Sequence, residues 1–90
     1  MSQVLLTIKI MPESPLTNLN EIKDQAEKTL SIEGAKNISF EEKPIAFGLK
    51  AIIMRLALPE EKGSEIVENK ISAINDVSSV TIEDYRRAFG

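Results

Sequence analysis

Two stretches of this sequence leave it little choice of architecture. VLLTIKIM, from Val4 to Met11, and LKAIIMRLAL, from Leu49 to Leu58, both carry an apolar side chain at every second position. Successive side chains of a strand point to opposite faces. Val4, Leu6, Ile8 and Ile10 therefore share one face of the first stretch, and Ile52, Met54, Leu56 and Leu58 one face of the second. The other faces are mixed: Leu5, Thr7, Lys9 and Met11 in the first, Ala51, Ile53, Arg55 and Ala57 in the second. One wholly apolar face beside one mixed face is the pattern of central strands in a sheet covered on one side only.

The segments between and around these strands change period. Pro12 and Pro15 end the first strand and stiffen the loop MPESP. Asn18, with Glu21 three residues on, has the spacing of a capping box and predicts a helix from about Leu19. Leu19, Ile22, Ala26 and Leu30 form its apolar stripe, and Gly34 closes it in a left-handed conformation. Lys36 to Lys43 predicts a weaker strand, Ile38 and Phe40 alternating with polar residues as at a sheet edge. Pro59 stops the second apolar strand, EEKG makes a polar turn, and Ser64 is the expected cap of a helix with Ile66, Val67, Ile71 and Ile74 on one side. Asn75 and Asp76 end that helix. Val77 to Tyr85 predicts a fourth strand with Val80 and Ile82 on one side and Thr81, Glu83 and Tyr85 on the other, leaving Arg86 to Gly90 as a tail.

The order is β-α-β-β-α-β with two amphipathic helices, which predicts an α+β fold of the ferredoxin-like type. The two apolar strands belong in the middle of a four-stranded antiparallel sheet of order 4-1-3-2, with both helices on one face and right-handed crossovers. This connectivity sends the turn between the second and third strands to one end of the sheet. The fourth strand finishes at the other end, where the chain begins. Residues 1–90 are expected to form one domain, too few for two independent cores.

Composition removes several functions. There is no Cys and no His, so thiol nucleophiles, zinc-thiolate sites and the usual neutral-pH base are absent. Fourteen acids against 11 bases give a formal charge of -3, which supplies no overall field for nucleic acid. No apolar run is long enough to span a bilayer, and no leader pattern opens the chain. A cytoplasmic protein without cofactor or membrane partner is the expectation.

One stretch is out of character for its place. Lys43 to Lys50, KPIAFGLK, reads as a hairpin tip, since Pro44 fixes its own φ and Gly48 takes positive φ without steric penalty. Such a tip is normally polar, yet this one holds Ile45 and Phe47. An apolar tip either folds back on its own core or is kept for a partner. Folding back is expected of Ile45, and both readings stand for Phe47. Arg86 and Arg87, taken alone, are solvated charges of a tail.

MPESP after the first strand, PIAFGLKA across the tip, the Gly63-Ser64 start of the second helix and the basic terminus together resemble the archaeal type of translation elongation factor 1-beta. The resemblance spans essentially the whole chain. It implies a ferredoxin-like guanine nucleotide exchange factor for the GTPase elongation factor 1-alpha, with no bond-breaking chemistry and no direct contact with nucleic acid. Eukaryotic relatives carry a P-[IV]-G-[FY]-G-[IL]-K tip, matched here from Pro44 through Ile45, Phe47 and Gly48 to Lys50. The resemblance implies that Phe47 docks on the second domain of the GTPase and that a basic residue near the C-terminus reaches the magnesium and phosphate region. Arg87, with Arg86 beside it, matches that residue best. The eukaryotic residue is a lysine next to the last position, and a guanidinium is a planar fork where an ammonium is a point charge.

Two other classes share the fold. An acylphosphatase-like enzyme needs an arginine in an anion-binding loop after the first strand, and MPESPLTN has none. A small-ligand or RNA-binding regulatory module of the RRM type needs stacking aromatics on the open face of its central strands. Leu5, Thr7, Lys9, Ala51, Ile53 and Arg55 supply none.

Overall fold

The computed structural model describes residues 2–88. Its elements are β1 (Gln3–Pro12), α1 (Leu19–Ile32), β2 (Lys36–Pro44), β3 (Lys50–Pro59), α2 (Ser64–Ser72) and β4 (Val77–Ala88), with 3-10 turns at Ala46–Gly48 and Glu60–Lys62. The sheet order is β2-β3-β1-β4, the expected order read from the opposite edge, and all three pairings are antiparallel. The two apolar strands lie side by side at its centre.

Alternation fixes which face is covered. Val4, Leu6, Ile8 and Ile10 of β1 and Ile52, Met54, Leu56 and Leu58 of β3 are buried in one cluster with Ile22, Ala26 and Leu30 of α1 and Val67 and Ile71 of α2. Both helices therefore lie on one face. Burial of each of the large side chains contributes about 1.5–3 kcal/mol, which is how nine residues of α2 hold their helix at all. Asn18 caps α1 as expected, its Oδ1 accepting from the backbone N–H of Asn20 at 3.1 Å and of Glu21 at 3.4 Å. At the other end Ala35 N–H reaches Leu30 O and Gly34 N–H reaches Ser31 O, both at 3.0 Å. That pair of bonds is a Schellman closure, and it needs Gly34 at its φ of 94°.

The open face is less bare than alternation suggests. Ala51, Ile53 and Ala57 are buried there, opposite Lys43, Glu41 and Lys36 of β2 and, for the last two, Lys9 and Leu5 of β1. The stems of such long side chains can cover shorter neighbours while their charges stay in water. Arg55 is exposed and donates to Glu41 at 3.2 Å.

Three sequence expectations need correction. The predicted tail does not begin at Arg86: Arg86, Arg87 and Ala88 are strand residues of β4, paired with Leu5, Val4 and Gln3, while the rest of that tail, Phe89 and Gly90, lies outside the described residues. Main-chain bonding to the start of β1 carries β4 past the point where its alternation fades. Ser64 is not the cap of α2. Gly63 holds that position, with no side-chain bond to the helix end, and Ser64 is the first helical residue. Finally, Tyr85 does not share a face with Thr81. The register of β4 slips between its Ile82↔Ile8 and Asp84↔Thr7 pairs, leaving Glu83 as the extra residue of a bulge. Tyr85 thus falls opposite Leu6 on the helix side, half exposed beyond the core.

Candidate functional site

Strand register puts the two groups of candidate residues at opposite poles. Pro44 pairs with Lys50 at the end of the β2–β3 hairpin, whereas Pro59, Gln3 and Ala88 come together at the other end. Arg87 lies opposite Val4, and Val4 opposite Leu58. Eight strand steps from Leu58 to Lys50, at about 3.3 Å each, separate the poles by about 26 Å. The molecule is elongated in keeping with this, 42 × 21 × 18 Å.

At the hairpin pole the tip is closed by two backbone bonds, Ile45 N–H to Leu49 O at 2.8 Å and Leu49 N–H to Ala46 O at 3.3 Å. Between them the chain makes a 3-10 turn in which Phe47 has φ 62° and ψ 30°, and Gly48 has φ 76°. Gly48 adopts that region freely; a phenylalanine there is strained by roughly 1–2 kcal/mol. Ile45 is partly buried but is not among the side chains packed against the core, and Phe47 is 93% exposed. The ring whose role the sequence left open is thus held out in water, on a backbone conformation that its side chain makes unfavourable. Pro44 and Lys50 are exposed beside it.

The loop between β1 and α1 forms the other half of this pole. A side chain at Gly48 would stand 3.9 Å from Pro15 Cβ, so MPESP and the tip, far apart in sequence, are neighbours in space. The loop is braced by Ser14 N–H to Thr17 Oγ1 at 3.2 Å, Leu16 N–H to Ser14 Oγ at 3.1 Å and Glu13 N–H to Asp76 O at 2.8 Å. Just inside the pole, Lys23 of α1 meets Glu42 of β2 at 2.7 Å. That hydrogen bond, then the Lys23 charge and more weakly that of Lys50, hold the Glu42 carboxyl below its ordinary value of 4.5 against a small opposing effect of burial.

At the terminal pole the two arginines diverge, because neighbours on a strand face opposite ways. Arg86 is on the open face with Asp84, its Nε 2.9 Å from Asp84 Oδ2. Arg87 is on the helix side and forms an ion pair with Glu60 in the turn after β3. Both guanidinium groups remain largely solvated. EEKG was expected only as a polar turn, and the Arg87–Glu60 pair depends on strand register that no local pattern announces. The sequence reading also passed over Leu16, although an apolar residue in a polar loop was the same signal that singled out Phe47.

Comparison with known proteins identifies the family. The sequence pattern of the EF-1 guanine nucleotide exchange domain matches residues 5–88. Elongation factor 1-beta of Methanocella arvoryzae is 43% identical over 90 residues, covering 99% of this chain and 100% of that one. Elongation factor 1-beta of Desulfurococcus amylolyticus is 39% identical over 89 residues, covering 97% and 98%. Among solved structures, LarC2, the C-terminal domain of a cyclometallase involved in synthesis of the NPN cofactor of lactate racemase, superposes with a TM-score of 0.67 over 99% of this chain and 58% of that one. At 10% identity that likeness concerns the fold alone. Matched from the first strand to the last, with relatives aligned end to end, the chain belongs to the EF-1 guanine nucleotide exchange domain family.

Proposed function

We propose that this protein is the exchange factor of elongation factor 1-alpha, releasing GDP from that GTPase in the cytoplasm so that GTP can replace it. Phe47 grips one domain of the GTPase from the hairpin pole, with Pro44, Ile45, Gly48 and Lys50 shaping the tip. Arg87, with Arg86 beside it, addresses the nucleotide domain from the terminal pole. The observation that carries this reading is Phe47 itself, 93% exposed on left-handed backbone, since neither feature serves the stability of its own fold. Strain kept at an exposed aromatic points to a function in contact.

The chemistry is competition for charge. Magnesium and the phosphates hold GDP largely by electrostatic attraction. A guanidinium brought into that region competes with the metal for the same oxygens and weakens the hold without breaking a bond. Arg87 must first exchange Glu60 for this new partner, a modest barrier because the pair is largely solvated. Linkage then fixes the energetics: the factor binds the empty GTPase more tightly than the GDP form by the same factor that nucleotide affinity falls. Each tenfold loss of GDP affinity requires about 1.4 kcal/mol of differential binding.

Release of labelled GDP from elongation factor 1-alpha tests the proposal. Acceleration by the protein is expected, weakened by Phe47→Ala and by Arg87→Ala with the circular dichroism spectrum unchanged. Burial of a phenylalanine side chain contributes about 1.5–3 kcal/mol, so Phe47→Ala should raise the half-saturating concentration about tenfold or more. No acceleration at saturating protein would overturn the proposal.

A further inference from the structure

Leu16 is as bare as Phe47, 93% exposed, and stands at the same pole. Single exposed leucines are ordinary and need no explanation. What distinguishes this one is its setting. Pro15, its neighbour in sequence, meets the tip at Gly48, the neighbour of Phe47, so both apolar side chains sit one residue from the same close approach. Neither loop is slack: the Ser14, Thr17 and Glu13 bonds hold one, the Ile45 and Leu49 bonds the other. Between loop and tip lies a polar cleft lined by Ser14, Thr17, Asn20, Glu42 and Lys50. Two exposed apolar side chains, each one residue from that approach, together with a polar cleft beside it, have the composition of a small binding surface.

We propose that Leu16 is a second apolar anchor, docking on the same domain of the GTPase that receives Phe47. The proposal rests on the exchange reading above. A partner surface broad enough to cover Phe47 reaches the Pro15–Gly48 contact, and Leu16 is the exposed residue next to Pro15. The approach of Pro15 to the tip that carries Phe47 favours this occupant over a second copy of the chain. Because Leu16 touches no nucleotide contact, it acts on affinity for the GTPase and not on the rate of the saturated complex.

The test compares GDP release by the wild-type protein, Leu16→Ala, Leu16→Met and Phe47→Ala over a range of factor concentration, with light scattering of each protein alone. Leu16→Ala should raise the half-saturating concentration about five- to tenfold, leave the saturated rate unchanged, and leave thermal stability unchanged; Leu16→Met, of similar size, should restore binding. If Phe47→Ala weakens exchange while Leu16→Ala does not, the anchor is overturned and the exchange reading stands. If wild-type protein gives no exchange, both are overturned. Self-association that disappears in Leu16→Ala, with half-saturation unaltered, would assign the patch to a second copy and overturn the proposal.

Discussion

A phenylalanine at φ 62° imposes about 1–2 kcal/mol on its own chain, and the exposed ring returns none of it through burial. Glycine adopts the same backbone without that penalty, although it adds disorder to the unfolded chain. Phe47→Gly should therefore stabilise the protein by about 0.5–1 kcal/mol, which for a domain of this size raises Tm by about 2–8 °C. The same change removes the ring, so half-saturation of exchange should worsen at least as much as in Phe47→Ala. Stability and activity moving in opposite directions is the mark of a residue kept for a partner. A lowered Tm together with retained exchange, measured by calorimetry and GDP release, would mean that Phe47 serves the fold. The sequence posed this question correctly, through an apolar ring beside Pro44 and Gly48. It gave no answer because left-handed φ at a non-glycine follows from how the turn closes, through Ile45 and Leu49, and not from any propensity of phenylalanine.

Elements were legible wherever one residue type does a local job. Alternation placed β1 and β3, Asn18 placed the start of α1, and Gly34 its end; strand order followed from which strands were most apolar. The misreadings concern β4, where non-local bonding decides, and the start of α2, which lies one residue from the expected cap. Pairing with Val4 and Leu5 extends β4 over Arg86 and Arg87, and the slip at Glu83 reverses the faces of Tyr85 and Arg87. No periodicity within β4 encodes a slip against β1. The contact between α1 and β2 was equally invisible, since Lys23 and Glu42 lie 19 residues apart, and it makes a prediction. Glu42 has its carboxyl pKa lowered in the folded state, so the pair stabilises the protein above the unfolded value and the stabilisation disappears as pH falls through the folded value. In denaturant melts, wild type should exceed Glu42→Gln at neutral pH, and the gap should close as pH drops below the ordinary carboxylate range. Added salt should narrow the gap at neutral pH, because the pair is at the surface. A gap that persists in acid would assign the difference to packing in place of charge.

The whole molecule is a rod, with an apolar tip and loop at one pole and two arginines facing opposite ways at the other. About 26 Å of strand, from Lys50 beside the tip to Leu58 level with Arg87, separates the two poles, well beyond the roughly 8 Å over which charge is felt at physiological ionic strength. Side chains so far apart, with no shared neighbour in this fold, should act on the GTPase independently. Measured as free energies from half-saturating concentrations, the effects of Phe47→Ala and Arg87→Ala should add in the double variant to within about 0.5 kcal/mol. Ionic strength separates them further. Raising salt should weaken wild type and Phe47→Ala by a similar factor and Arg87→Ala by less, since only Arg87 answers to charge while the ring binds by burial. A coupling above about 1 kcal/mol would mean that the two residues share one contact, which a straight rod cannot give unless the GTPase folds around it. Equal salt dependence in all three proteins would remove Arg87 from the interface, leaving Arg86, on the opposite face of the same strand, as the cation to test next.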